Sequence, residues 1–223
     1  MTMPLALAPG ISFCEVDGER IFLDRGRDRY FSLGPAASAA FATIGRHVRD
    51  PDHAARLDAL VASGILVADP FGEAPRPCRA SQVSASPLDD DPHLPAPPLA
   101  MLASAFGIRV ARRLLRLHGL ARACQRIELM APDARHARPI APRDQARIAG
   151  RFAGAARLAG AFEQCLPISI AMTRFCRRRD YDVHFVIGVK TRPFQAHAWV
   201  SSNGVVLSDS SVTARQFTPI LVL

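Results

Sequence analysis

The sequence predicts an α+β protein made of two domains, a small N-terminal one and a larger C-terminal one. Short apolar runs separated by turn dipeptides indicate antiparallel strands near both ends of the chain. Alanine-rich stretches with apolar residues at helical spacing indicate helices between them. A proline-rich stretch separates the two parts. We therefore expect a domain at residues 1–68, a linker at residues 69–98 and a second domain at residues 99–223.

The beginning of the first domain has the pattern of a small antiparallel sheet. Residues 11–33 contain two short apolar runs joined by Asp17-Gly18, a dipeptide that supplies the positive φ angles of a tight hairpin turn. A third run, from Arg29 to Leu33, follows a polar turn. Three strands are therefore expected here.

Two helices and a short strand are expected to complete this domain. Residues 36–48 are rich in alanine and place apolar side chains at helical spacing. Asp50-Pro51 then offers an N-cap and a first-turn proline for a second helix, which we expect to end near Gly64. Residues 65–68 can form a further short strand.

The linker is predicted from composition. Residues 69–98 contain eight prolines together with serines and acidic residues. Such a composition favours extended segments and a semi-rigid spacer between domains.

The second domain is expected to combine helices with an antiparallel sheet. Asn203-Gly204 is the dipeptide of a two-residue hairpin, and it joins two of the expected strands. Helices are predicted at residues 99–117, 144–158 and 165–179, and strands at residues 183–189, 196–201, 205–208 and 217–223.

The charge of the protein is concentrated in its C-terminal part. The formal net charge is +8, and residues 1–70 contain 7 basic and 9 acidic side chains, so the rest of the chain carries +10. The arginines are not interleaved with the aromatic residues that a nucleic-acid stacking platform needs. We therefore expect no nucleic-acid partner. An acidic peptide or an acidic partner protein fits the positive charge as well as a nucleic acid would.

Several further classes of protein are disfavoured by missing patterns. The sequence has no apolar run of 18 residues and its first residues lack a basic signal-peptide region, so we expect a cytoplasmic protein without a membrane partner. Five cysteines, an odd number with no CxxC pair, indicate reduced thiols. We find no HxxxH metal motif and no glycine-rich nucleotide motif, and we expect neither a metal nor a cofactor.

Cys165 has the sequence context of a reactive thiol. It precedes Leu166-Pro167, and a proline is tolerated in the first turn of a helix, where the amides lack intrahelical partners. The helix dipole and the free amides at such a position stabilise a thiolate and can also donate to an oxyanion. A cysteine considered alone is more often a buried structural residue.

His197 and Asp209 are the expected partners of this thiol. Strand alternation places His197 on the same face as Trp199. If Asn203-Gly204 forms the turn, His197 faces position 210, and a shift of one residue brings the Asp209 carboxylate to the imidazole. A third group that orients the histidine is what a Cys-His pair needs. Taken singly, such a histidine is more often a core or surface residue, and such an aspartate a turn residue.

The three residues together are more informative than each alone. A cysteine at a helix start, a histidine on a strand and an aspartate after the next strand occur in the order typical of transglutaminase-like proteases. We therefore expect a transglutaminase-like or papain-like α+β domain with Cys165, His197 and Asp209 as its catalytic residues.

The C-terminal segment CLPISIAMTRFCRRRDYDVHFVIGVKTRPFQAHAWVSSNGVVLSDS resembles the protease domain of lasso peptide biosynthesis B proteins, the leader peptidases of that pathway. The resemblance covers roughly residues 140–223. It implies that Cys165 is the nucleophile, His197 the general base and Asp209 the residue that orients it.

The N-terminal segment IFLDRGRDRYFSL, followed by two helices, resembles the winged-helix-like recognition element of ribosomal peptide pathways. The resemblance implies that a precursor's leader adds a strand beside Arg29 to Leu33, with Arg29, Tyr30 and Phe31 as binding residues, while the helix that carries Leu57 and Val61 closes the groove. Alternatively, Tyr30, Phe31 and Leu33 are core residues of a small winged-helix fold, and for Leu33 we expect the core role.

The two resemblances imply a leader peptidase that captures a lasso precursor peptide and cleaves leader from core. They imply a second partner, a separate ATP-dependent cyclase resembling asparagine synthetase, which takes the freed core. Two alternatives stay open: a transglutaminase-like acyltransferase on the same three residues, and a non-catalytic chaperone that binds the peptide.

Overall fold

A computed structural model of the chain describes residues 4–45, 50–91, 94–133, 135–161 and 163–223. The chain divides into two compact units, Met1–Cys78 and Arg79–Leu223. Each unit combines helices with antiparallel strands, which confirms the α+β fold class. None of the described helices is both long and apolar enough to cross a membrane.

The first unit is built on the three-stranded antiparallel sheet that the sequence predicts. Its strand order is β2-β3-β4, and the turn between the first two strands has positive φ angles at Asp17 (50°) and Gly18 (80°). The elements of this unit are β1 (Leu5–Leu7), β2 (Ile11–Val16), β3 (Glu19–Asp24), β4 (Arg29–Ser32), α1 (Pro35–Phe41), α2 (Pro51–Ala62) and β5 (Leu66–Ala68).

Two features of this unit differ from the prediction. The first helix was expected to reach residue 48, but α1 ends at Phe41 and Gly45 adopts a φ of 79°, which a helix does not allow. Residues 46–48 of that prediction lie outside the described residues. In addition, the unpredicted strand β1 pairs with β5 in a separate two-stranded sheet.

Aromatic side chains form the centre of the first unit. The ring of Phe22 stacks on those of Phe13 and Phe31, and the ring of Phe41 meets both Phe13 and Phe22 edge-on, with centroids 5.2–5.3 Å apart. Such offset and edge-on contacts are the favourable arrangements for aromatic pairs. Leu60 and Leu66 complete the buried cluster and attach α2 and β5 to the sheet.

The described part of the second unit combines four helices with a four-stranded antiparallel sheet of order β8 (Val205–Val206), β7 (Phe194–Ser202), β6 (His184–Thr191) and β9 (Thr218–Val222). Its strands follow the predicted ones closely. The elements are α3 (Pro98–Glu128), α4 (Pro142–Leu158), α5 (Cys165–Arg177), β6 (His184–Thr191), β7 (Phe194–Ser202), β8 (Val205–Val206), α6 (Ser211–Arg215) and β9 (Thr218–Val222).

The helix α3 extends well beyond the prediction, whereas α5 ends at Arg177, two residues before its predicted end. The sequence predicts a helix to residue 117 and a loose stretch after it, but α3 resumes after a break and continues to Glu128. The break lies at Gly119, whose φ of 69° and ψ of −177° are not helical. The short helix α6 was also not predicted; the hydroxyl of Ser210 accepts a hydrogen bond from the backbone N–H of Thr213 at its start.

Part of the segment predicted as a linker is a packed portion of the second unit. We call residues 79–91 the strap. Its backbone forms a parallel bridge between Ala85 and Val205, so the strap lies along the outer edge of β8. The side chains of Ala80 and Val83 pack against the buried cluster that contains Trp199.

Candidate functional site

Cys165 is the first residue of α5, as the sequence predicts. The helix packs against β7, and the buried hydroxyl of Ser169 donates a 3.0 Å hydrogen bond to the carbonyl of Ala198 on that strand. Ser169 lies one turn after Cys165, and Ala198 is next to His197. This hydrogen bond therefore fixes the helix that carries the thiol against the strand that carries the imidazole.

Asp209 approaches His197 although their positions are not paired across the hairpin. Ser202 pairs with Val205 around the Asn203-Gly204 turn, which is the predicted register. Beyond β8 the chain leaves the sheet, and the Oδ2 atom of Asp209 comes to 2.8 Å from Nε2 of His197. The oxygen is within ion-pair distance, off the line of a straight hydrogen bond.

The Asp209 carboxylate is held by its own chain. Its Oδ1 atom accepts a 2.6 Å hydrogen bond from the backbone N–H of Ser210. Just before it, the hydroxyl of Ser208 accepts a 2.9 Å hydrogen bond from the backbone N–H of Val200. With one carboxylate oxygen bound to the backbone, the other is directed at the imidazole.

The environment of Cys165 favours its thiolate. Burial alone would raise the pKa of this thiol, but hydrogen bonds from His197 and from the backbone N–H groups of Ala198 and Leu166 outweigh it, so the pKa is lowered. The pKa values of Cys14 and Cys176 change in the opposite direction, because burial raises each of them to about 12. Cys165 therefore differs from these structural cysteines in the way that a nucleophile must.

The imidazole of His197 is correspondingly held in its charged form. Burial would lower its pKa, but the interactions with Asp209 and Cys165 raise the pKa to about 9. Since Nε2 faces Asp209, the other ring nitrogen, Nδ1, is left for the thiol. The two pKa shifts have the directions that an ion pair of thiolate and imidazolium requires, and the carboxylate contributes to the shift of the imidazole.

Aromatic packing fixes the plane of the imidazole. The ring of His197 stacks on Trp199 at 6.1 Å and lies 5.1 Å from the ring of Phe217. Trp199 shares the face predicted by strand alternation. On β6, Gly188 pairs with His197, and a Cβ atom there would lie 2.7 Å from Trp199 and 2.9 Å from Phe217. The absence of a side chain at Gly188 therefore allows both rings to pack.

The three residues open onto a cavity of about 430 Å³. A cavity of this size lies within the range of ordinary ligand sites. Its lining comprises Glu163, Cys165, Ile168, Ser169, Gln195, Ala196, His197, Ala198, Ser208, Asp209 and Phe217.

Sequence reasoning missed several polar residues whose hydrogen bonds reach the elements of the site. Ser169 and Ser208 bind backbone atoms of β7, and Ser86 and Asp89 of the strap bind backbone atoms of Asp209 and Ser211. Serines are common in loops and helices, so composition gave no signal for them. The one available clue was the position of Ser169, on the same helix face as Cys165 one turn later.

The residues predicted to bind a leader lie at the margin of the first unit's core. Phe31, Leu57 and Val61 are partly buried against its central cluster, and Tyr30 is half-buried. The side chain of Arg29 is 51% exposed and lies 3.8 Å from the Asp24 carboxylate. In the described residues β4 pairs only with β3, so one edge of β4 is open within its sheet.

The fold and the site define a protein of the transglutaminase type. The family model described as the Transglutaminase-like superfamily matches residues 107–222, just over half of the chain and the part that contains the site. The chain belongs to this superfamily.

A stretch of the chain is also similar to a curated protein. It is 46% identical over 46 residues to the microcin J25-processing protein McjB of Escherichia coli. The match covers 21% of this chain and 22% of that protein, so the chain matches only about a fifth of the relative's length. No solved structure matches the chain significantly.

Proposed function

We propose that this protein is a cysteine peptidase that binds the leader of a lasso peptide precursor and cleaves leader from core. The observation that carries the proposal is the arrangement of Cys165, whose pKa is lowered, against His197, which in turn lies 2.8 Å from the Asp209 carboxylate. Membership of the Transglutaminase-like superfamily and the local similarity to a microcin-processing protein support it.

The proposed reaction begins with attack of the Cys165 thiolate on the carbonyl carbon between leader and core. The backbone N–H of Cys165, at the start of α5, would donate to the oxyanion that forms. The His197 imidazolium gives its proton to the departing amine, which becomes the N-terminus of the core. The leader is left as a thioester on Cys165. A water molecule, deprotonated by His197, then releases the leader with a C-terminal carboxylate.

Capture of the leader is assigned to the first unit. An extended peptide can add a strand at the open edge of β4, where main-chain hydrogen bonds supply affinity. Arg29 is the exposed member of the proposed binding residues. The other members can contact the leader with the parts of their side chains that the core cluster does not cover. These members are Tyr30, Phe31, Leu57 and Val61.

The proposal includes a second partner and a compartment. The freed amine of the core would pass to a separate ATP-dependent cyclase that resembles asparagine synthetase. The cytoplasm is the proposed site of action, because the thiol of Cys165 must stay reduced to act as a nucleophile.

Incubation with a lasso precursor peptide that carries its leader tests the proposal. Mass spectrometry should find a leader that ends in a free carboxylate and a core with a free amine. Cys165→Ala should abolish cleavage and keep leader binding, whereas the matched control Cys78→Ala should cleave at the parental rate. Cleavage by Cys165→Ala would overturn the proposal, and a leader joined to an added amine would make the protein an acyltransferase instead.

A further inference from the structure

The strap forms hydrogen bonds with the loop that carries Asp209. The hydroxyl of Ser86 donates a 2.7 Å hydrogen bond to the backbone carbonyl of Asp209. Two residues further along that loop, the backbone N–H of Ser211 donates a 2.7 Å hydrogen bond to Oδ1 of Asp89. The strap thus holds the loop on both sides of Ser210, whose N–H binds the Asp209 carboxylate.

Ser86 and Asp89 also hold each other. Oδ2 of Asp89 accepts a 2.8 Å hydrogen bond from the backbone N–H of Ser86, and the Ser86 hydroxyl accepts one from the N–H of Leu88 at 3.0 Å. Ser86 is 5% exposed, so its hydroxyl has little access to water. A buried hydroxyl with a defined donor and a defined acceptor has one orientation, and that orientation fixes the carbonyl of Asp209.

The rest of the strap is anchored elsewhere on the unit. The backbone N–H of Ser84 and its hydroxyl both donate to the carbonyl of Gly204 in the hairpin turn, at 2.8 and 3.1 Å. The guanidinium of Arg215 donates to the carbonyl of Val83 at 3.1 Å. Ser84 therefore holds the strap in place without contacting the Asp209 loop, and Ser86 is where the strap meets that loop.

We propose that Ser86 and Asp89 are positioning residues, which direct the Asp209 carboxylate at His197 and so maintain the thiolate of Cys165. The inference rests on the proposed function for its catalytic meaning, although the effect on the thiol does not require a substrate. Removing the Ser86 hydroxyl frees the carbonyl of Asp209, and a displaced carboxylate supports the imidazolium less well. The thiol then ionises at higher pH.

The test is the pH dependence of Cys165 alkylation by iodoacetamide in the full chain, followed by mass spectrometry of the peptide that contains Cys165. In Ser86→Ala we expect the midpoint to move upward by about half a pH unit to one unit, the size of shift that loss of one hydrogen bond produces. Ser84→Ala is the matched control and should keep the parental midpoint. Ser86→Thr, which retains the hydroxyl, should restore it.

Asp89→Ala is the second variant, because Asp89 is exposed and its replacement leaves no buried void. It should move the midpoint in the same direction. Toward a precursor peptide, both variants should have kcat reduced about fivefold to tenfold with KM unchanged. Parental midpoints in Ser86→Ala and Asp89→Ala would overturn the inference. A shifted midpoint in a protein that cleaves no leader would support it and reject the proposed function.

Discussion

The hydroxyl of Ser86 and the backbone carbonyl of Asp209 are joined by a 2.7 Å hydrogen bond across 123 residues of sequence. A segment that composition marks as a spacer is thus part of the support for the candidate site.

Asp209→Asn should reduce peptide cleavage by about 10²-fold or more while the protein remains folded, because an amide cannot stabilise the imidazolium. Steady-state kinetics and thermal unfolding measure the two effects. Asp144→Asn is the matched control, since Asp144 is a surface residue whose ion pair is with Arg147. A parental kcat in Asp209→Asn would mean that Asp209 has no part in catalysis.

The rate of cleavage should depend on pH as a bell-shaped curve. It should rise as the pH increases through the lowered pKa of Cys165, because the thiolate forms there. It should fall as the pH increases through about 9, the raised pKa of His197, because the proton needed by the departing amine is lost. In Asp209→Asn the fall of the rate at high pH should occur at a lower pH than in the parent. A fall at the parental pH would contradict the conclusion that Asp209 raises the pKa of His197.

The same raised pKa predicts how stability changes with pH. A histidine whose pKa is higher in the folded than in the unfolded state binds a proton more tightly when folded. The stabilisation from His197 should be complete below its ordinary pKa of 6.5 and be lost as the pH rises through about 9. The lowered pKa of Cys165 contributes in the opposite sense, adding stability as the pH rises toward its ordinary value of 9.0. Urea unfolding between pH 6 and 10 is therefore measured in Cys165→Ala, where adding His197→Gln should flatten the curve.

Gly188→Ala should destabilise the second unit by about 1–3 kcal/mol, the usual effect of overpacking a core. A methyl group there would lie 2.7 Å from Trp199, so the ring must move and with it the imidazole that stacks on it. Gly107→Ala is the control, because its Cβ would meet Ala171 at 3.9 Å and alanine favours a helix. Thermal unfolding should show a lower Tm for Gly188→Ala and a higher Tm for Gly107→Ala. Equal shifts of Tm in the two variants would contradict the close packing of Trp199 and Phe217 against Gly188.

Removal of residues 1–78 should weaken binding of the precursor about tenfold or more and leave the alkylation profile of Cys165 unchanged. The first unit carries the open edge of β4, whereas every contact described for the site lies in the second unit. Fluorescence anisotropy with a labelled leader peptide measures the binding. Unchanged affinity after the removal would mean that the leader binds elsewhere.

Local signals predicted much of the architecture. Asn203-Gly204 gave the hairpin register, because positive φ angles at both residues are needed there and few dipeptides adopt them readily. Cys165 and Pro167 marked the start of α5 for a similarly local reason. The position of Asp209 was predicted only to within one residue, since the chain leaves the sheet after β8 and strand alternation no longer applies.

Contacts between distant segments were the part that sequence could not give. The proline content of residues 69–98 predicts an extended backbone, but it contains no information on whether that backbone lies beside a sheet edge, as Ala85 does beside Val205. The pairing of β1 with β5 was missed for the same reason. The helix beyond Gly119 was missed because a glycine followed by mixed residues is also typical of a loop.

The strap also determines where this gene can be divided. A natural fission or an engineered exchange of the first unit separates the two units cleanly only if the cut falls before Arg79. A cut at residue 99, which composition alone would recommend, leaves Ser86 on the polypeptide of the first unit. A second unit encoded separately should therefore begin with its own copy of this proline-containing segment.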